Sequence, residues 1–121
     1  MILIDSCGWI EFLSDGKKAE TYAPYFTQNT EIFTPTIIIY EVYKKVLREC
    51  GKDMAVVVAA QMNSTQVIEL TENIALEAAR LGIKHQLPMA DAIVYATALS
   101  MQCPVITSDQ HFFSLDQVIF I

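Results

Sequence analysis

The sequence predicts an α/β sandwich with a mainly parallel central sheet. Three observations carry that prediction. Short continuous apolar runs, Ile2-Leu3-Ile4 and Val105-Ile106, read as strands buried on both faces. Segments with apolar residues at helical spacing alternate with the strand candidates along the chain. Two strands end alike, each apolar run giving way to a short polar group that holds an aspartate: Asp5-Ser6 after the first, Thr107-Ser108-Asp109 after the second.

Taken in order, Ile2–Ile4 is the first strand. Cys7–Ser14 follows as a short amphipathic helix through Trp9, Ile10, Phe12 and Leu13, with Asp5 or Ser6 as its cap. Asp15-Gly16 marks a turn. Lys17–Gln28 reads as a second helix that Pro24 bends or divides. Glu31–Thr34 is a short strand. Pro35-Thr36 opens a helix that keeps apolar spacing through Val42, Val46 and Cys50 and stops at Gly51. Lys52–Met62 is a fourth helix and Gln66–Leu70 a strand. Thr71 caps a helix reaching about Gln86, with Glu72 in its first turn. After the Leu87-Pro88 break, Met89–Met101 is an almost wholly apolar helix whose only charge is Asp91. Pro104–Thr107 is a buried strand, His111–Leu115 a turn, and Val118–Ile121 the last strand.

Composition narrows the function classes. With 53% hydrophobic and 18% charged residues, the chain is built to pack a core and is not a disordered segment. A net charge of −6 with only eight Lys and Arg leaves no broad basic face, which argues against general nucleic-acid coating. It allows metal-binding carboxylates, a basic partner or an ordinary soluble surface. Cys7, Cys50 and Cys103 are an odd count without paired spacing, so neither a disulfide framework nor a zinc site is expected. The most apolar region, Leu87 to Ile106, is interrupted by Pro88, Asp91, Gln102 and Pro104, and no membrane span is expected. No basic stretch precedes the first apolar run, so no signal peptide is expected either. A cytoplasmic setting follows.

The candidate chemistry lies in four acids. If the Asp5 and Asp109 strands are parallel neighbours, these two meet at the carboxyl edge of the sheet. Asp91, early in a helix, and Glu41, in the first turns of another, sit where helices begin on that same edge. Each acid has a structural reading when taken alone. Asp5 and Asp109 can cap the turns after them, Asp91 can face a helix dipole, and Glu41 can pair with Lys45 at i+4. Together, carboxylates without a His or Cys set are hard oxygen ligands suited to Mg²⁺ or Mn²⁺. One or two such ions can activate water and stabilise the leaving oxygen in phosphodiester cleavage.

The ordered set of Ile4-Asp5-Ser6, Pro35-Thr36 with Glu41-Val42, Met89-Ala90-Asp91-Ala92-Ile93 with Ala96-Thr97-Ala98, and Thr107-Ser108-Asp109-Gln110-His111-Phe112 resembles the PIN-domain family. It is most similar to the VapC-like toxin ribonucleases of type II toxin–antitoxin systems. That resemblance implies a single PIN-like nuclease domain over residues 1–121, a Rossmann-like three-layer sandwich with helices flanking the sheet. It implies an Mg²⁺- or Mn²⁺-dependent endoribonuclease that hydrolyses RNA phosphodiester bonds. By position, Asp5, Glu41, Asp91 and Asp109 become catalytic and metal-binding acids, and Ser6 and Thr107 supporting hydroxyls. The implied partners are substrate RNA, a cognate antitoxin and a second copy in a homodimer. Cys7-Gly8 departs from the family pattern, with Gly8 weakening the first helix slightly and Cys7 read as a buried small residue.

Two alternatives share part of the pattern. A receiver-like phosphoacceptor module has similar length and acids, but requires an acidic neighbour to the first-strand Asp and a late-strand Lys, both missing here. A catalytically silent PIN-like binding module would share the fold without the full acid set. His111, His85 and Asp116 are read as structural or surface residues, and Lys44, Lys45 and Arg48 as a solvated helix face.

Overall fold

The computed structural model describes all 121 residues. Five strands, β1 (Ile2–Ile4), β2 (Ile32–Pro35), β3 (Gln66–Ile68), β4 (Val105–Thr107) and β5 (Val118–Phe120), form one sheet in the order β3-β2-β1-β4-β5. Every pairing is parallel. Six helices join them: α1 (Ser6–Leu13), α2 (Ala19–Thr27), α3 (Thr36–Cys50), α4 (Lys52–Asn63), α5 (Glu72–His85) and α6 (Met89–Ser100). The expected α/β sandwich is present, with a sheet that is parallel throughout and not only in the main.

The two apolar runs pair directly. Leu3 stands opposite Val105 and Ile4 opposite Ile106, and all four side chains are fully buried. This double-sided burial is why both runs are continuous in the sequence and do not alternate. Reading outward, the chain fills β1, β2 and β3 on one side, then returns across the sheet to lay β4 beside β1. The strand order therefore reverses between β1 and β4. In open parallel sheets that reversal leaves a crevice at the carboxyl ends of the two strands, where ligands bind. The order also removes the receiver-like alternative, whose sheet runs 2-1-3-4-5.

Local chemistry sets the element ends. The Asp5 carboxylate accepts from the Ser6 backbone N–H and starts α1. Thr71 caps α5, its hydroxyl accepting from Ile74 N–H at 3.2 Å. Gly51, at φ 90°, links α3 to α4 with no intervening loop, a backbone geometry that side chains disfavour. α2 runs through Pro24 without being divided there, and Pro24 itself has no N–H to give to the helix ladder. β3 ends at Ile68, two residues short of the expected strand, because Glu69 and Leu70 are exposed on the way to the Thr71 cap. No helix is long and apolar enough to cross a membrane.

Gly8 now has a packing reason. A Cβ there would lie 2.6 Å from Tyr22 Cε1 and 2.7 Å from Ile4 Cγ2, and both side chains are fully buried. The glycine lets α1 sit close on β1 and α2. Gly8→Ala is therefore expected to cost about 1–3 kcal/mol by overpacking, despite the better helix propensity of alanine. A urea midpoint equal to that of the parent chain would show that α1 has room to spare.

Candidate active site

The crevice between β1 and β4 holds the acids. Asp5 leaves the end of β1 and is only 2% exposed. Its Oδ1 accepts from Ser6 N–H at 2.8 Å, and its Oδ2 accepts from the Thr107 hydroxyl at 2.9 Å. Thr107 closes β4, and its Oγ1 in turn accepts from Asp109 N–H at 3.0 Å. One hydroxyl thus ties the ends of the neighbouring strands together and sets the spacing between Asp5 and Asp109. The Asp109 carboxylate accepts from His111 N–H at 2.9 Å and so caps a 3₁₀ turn over Gln110–Phe112. The buried Phe112 ring pins that turn to the core.

Asp91 is in the first turn of α6, and Glu41 in the second turn of α3, which follows β2 directly. Both are half-buried and feel the other acids. Burial, then Asp5 and Asp91, push the Glu41 carboxyl from the usual 4.5 up to about 7, against a lowering contribution from Ser6. Burial, then Asp109 and Asp5, push Asp91 from 3.8 up to about 6, partly offset by His111. Asp5 is raised chiefly by burial, with its hydrogen bonds from Thr107 and Ser6 opposing and the Asp109 charge adding. The four acids named from the sequence therefore share one electrostatic site.

The direct contacts are narrower than that set. The tightest cluster of ligand atoms is Asp91, Asp109 and His111, all within 4.8 Å of one another. His111 Nδ1 lies 3.0 Å from Asp91 Oδ2 and 3.0 Å from Asp109 Oδ1. The surface role expected for His111 is thus incomplete, because its ring bridges two of the four acids. The sequence signal was the two-residue spacing from Asp109, which a capped turn converts into proximity. Glu41 does not pair with Lys45, which instead reaches Glu49 at 3.8 Å.

Cys7 also differs from its expected setting. It is half-buried among polar atoms: Thr107 Oγ1 at 3.4 Å, Tyr22 OH and Ser108 Oγ at 3.6 Å, and Asp5 Oδ2 at 3.8 Å. Tyr22 OH donates to Ser108 Oγ at 2.9 Å. These groups form a polar layer alongside Asp5. Sequence reasoning missed it because its members come from α1, α2, the end of β4 and the segment after it, far apart in the chain.

The donor set fits a hard divalent cation. Carboxylates are its preferred ligands, and clustered carboxylates repel unless a cation neutralises them. No lysine or arginine forms an ion pair with any of the four acids; the only cationic partner is the His111 ring, when protonated. Beyond Glu41 opens a cleft of about 290 Å³ lined by Ser6, Tyr40, Lys44, Lys45 and Arg48. Neither Lys44 nor Arg48 forms an ion pair, so acids and free cations lie side by side along this edge.

Comparison with known proteins agrees with this architecture. A family model described as PIN domain matches residues 2–118. No curated relative matches the chain in sequence. Among solved structures, a chain of a toxin–antitoxin complex from Klebsiella pneumoniae superposes with a TM-score of 0.84 at 19% identity, covering 98% of this chain and 96% of that one. A chain of the DNA-bound VapBC from Salmonella typhimurium gives 0.80 at 15% identity, covering 100% and 98%. VapC20 of Mycobacterium tuberculosis, described as a sarcin-ricin loop cleaving toxin, gives 0.74 at 20% identity, covering 84% of each chain. At these identities the likeness establishes the fold.

Proposed function

The chain belongs to the PIN domain family, and from that premise we propose that it is a divalent-metal-dependent endoribonuclease, the toxin of a toxin–antitoxin pair. The observation that carries the reading is the convergence of Asp5, Glu41, Asp91 and Asp109 on the β1–β4 crevice, with their charges uncompensated by lysine or arginine. A catalytically silent module would have no need to keep four mutually repelling acids.

In this reading the four acids hold Mg²⁺ or Mn²⁺. When bound, the ion supplies positive charge to the scissile phosphodiester and makes water more acidic. The protein's own contribution is positioning. Thr107 fixes one Asp5 oxygen and the Ser6 N–H fixes the other, so this carboxylate is oriented before any ligand arrives. The Ser6 side chain lies close enough to Glu41 to oppose the rise in its carboxyl. Burial of Asp5 keeps the inner side of the site dry and strengthens its field.

Lys44, Lys45 and Arg48 offer a phosphate path beside Glu41, which supports a polyanionic substrate despite the net negative charge. Replacing Lys44 and Arg48 with glutamine in an Asp5→Asn background should weaken binding of single-stranded RNA. The slope of log affinity against log salt should fall by about 1.4 for two lost phosphate contacts. Fluorescence anisotropy at several salt concentrations measures it, and an unchanged slope would take this cleft off the RNA path.

Exposed Leu47, Met54, Val56 and Val57 on α3 and α4 support a protein partner, the antitoxin. Exposed Leu76 and Ile83 on α5 and Met89 on α6 are available for a homodimer contact. The nuclease reading is tested by RNA cleavage with Mg²⁺ or Mn²⁺, with and without EDTA, against Asp91→Ala. Cleavage that ignores chelation, or that Asp91→Ala matches, would defeat it.

A further inference from the structure

Building on the metal-dependent reading, we propose that His111 contributes Nδ1 as a nitrogen ligand beside Asp91 and Asp109, and that this mixed donor set makes the site prefer Mn²⁺ to Mg²⁺. Two donors bound side by side on an octahedral ion, with bonds of about 2.1 Å, stand about 3.0 Å apart. His111 Nδ1 has that separation, 3.0 Å, from Asp91 Oδ2 and again from Asp109 Oδ1. The backbone reinforces the placement. His111 N–H is held by Asp109, and the next residue, Phe112, is fully buried. The imidazole is thus carried by an anchored turn, with its Nδ1 edge toward the acids.

The consequence for ion choice follows from ligand chemistry. Mg²⁺ takes oxygen ligands and keeps its waters, whereas nitrogen donors favour transition ions further along the first-row series. Four carboxylates alone would serve both ions. Adding an imidazole tilts the balance toward Mn²⁺. When Nδ1 ligates, the ring proton resides on Nε2. His111 is 53% exposed at its side chain, against 14% for Asp91 and 32% for Asp109, so the ring approaches the acids from the solvent side of the site.

The test is metal binding by tag-free full-length protein. Mn²⁺ titrations and Mg²⁺ competition give the two affinities, and pulsed electron paramagnetic resonance of bound Mn²⁺ reads ¹⁴N coupling directly. The chain has only two histidines, and His85 packs edge-on against Tyr95 with ring centroids 5.9 Å apart, so a coupled nitrogen is assignable. The expected result is a ¹⁴N signal that His111→Ala and the longer, polar His111→Gln both remove. Mn²⁺ affinity should drop about tenfold or more with little change for Mg²⁺. Bound Mn²⁺ without nitrogen coupling, coupling that survives in both variants, or equal losses for the two ions would overturn the proposal. RNA left intact by protein with nitrogen-coupled Mn²⁺ would sink the nuclease reading alone, and RNA cleaved by protein lacking that coupling would sink this one alone.

Discussion

Asp5→Asn is expected to lower RNA cleavage by on the order of a thousandfold while leaving the melting temperature of the ion-free protein at or above that of the parent. The two halves of that result have separate physical causes. Asparagine caps a helix as well as aspartate does, so α1 keeps its start through Ser6 N–H. The Thr107 hydroxyl can turn to accept from the new amide. What disappears is a negative charge that burial and Asp109 already disfavour. Its loss relieves the fold and, on the proposed reading, takes away one of the carboxylates that would hold the cation. Asp5→Ala is the poorer probe. It strands Ser6 N–H and the Thr107 hydroxyl without acceptors, at about 1–3 kcal/mol for each buried group, and confuses lost chemistry with lost stability. Initial rates on a fluorogenic RNA at saturating Mn²⁺, paired with thermal melts in EDTA, measure both halves. Parental cleavage by Asp5→Asn would remove Asp5 from the catalytic set. A large fall in melting temperature would make it chiefly a structural cap.

The same residues show what the sequence makes legible. Ile2–Ile4 and Val105–Thr107 could be paired in advance because burial on both faces leaves an uninterrupted apolar run, and two such runs ending in Asp announce a shared edge. Glu41 and Asp91 followed from helix starts, since in a parallel layout those fall at the same edge. What could not be read was set by side chains meeting across large sequence gaps. Gly8 looked like a small helix defect until Tyr22 and Ile4 were found against it. Cys7 looked like core filling, yet its neighbours are hydroxyls from α2, from the end of β4 and from just beyond it. His111 is near Asp109 in sequence, but its contact with Asp91 depends on where α6 begins relative to the turn after β4. Pattern supplies elements and edges. Which atoms touch at an edge is decided by helix placement to within an ångström or two.

A divalent ion should stabilise the protein strongly at pH 7.5 and weakly at pH 5. Glu41 and Asp91 set the sign. Both have folded-state values above the unfolded ones, about 7 against 4.5 and about 6 against 3.8. Between those limits the native chain holds more protons than the unfolded chain, so stability falls as pH rises. Without an ion, the contribution of these groups is largest below about pH 4 and is lost as pH passes through 6 to 7. An ion then takes the place of the missing protons. At one hundred times its dissociation constant, it adds about 2.7 kcal/mol, on the order of 10 °C in melting temperature for a chain of this size. At pH 5 it must displace protons from Glu41 and Asp91, and the gain shrinks. Melts from pH 5 to 8, in EDTA and in Mn²⁺, measure both slopes. Glu41→Gln supplies the control, because general surface charge also varies over this range. That variant should melt higher than the parent in EDTA at pH 7.5, show a shallower decline with pH, and gain less from Mn²⁺. A pH-independent gain, or a Glu41→Gln variant with the parent's slope, would mean that Glu41 lies outside the charge cluster the ion neutralises.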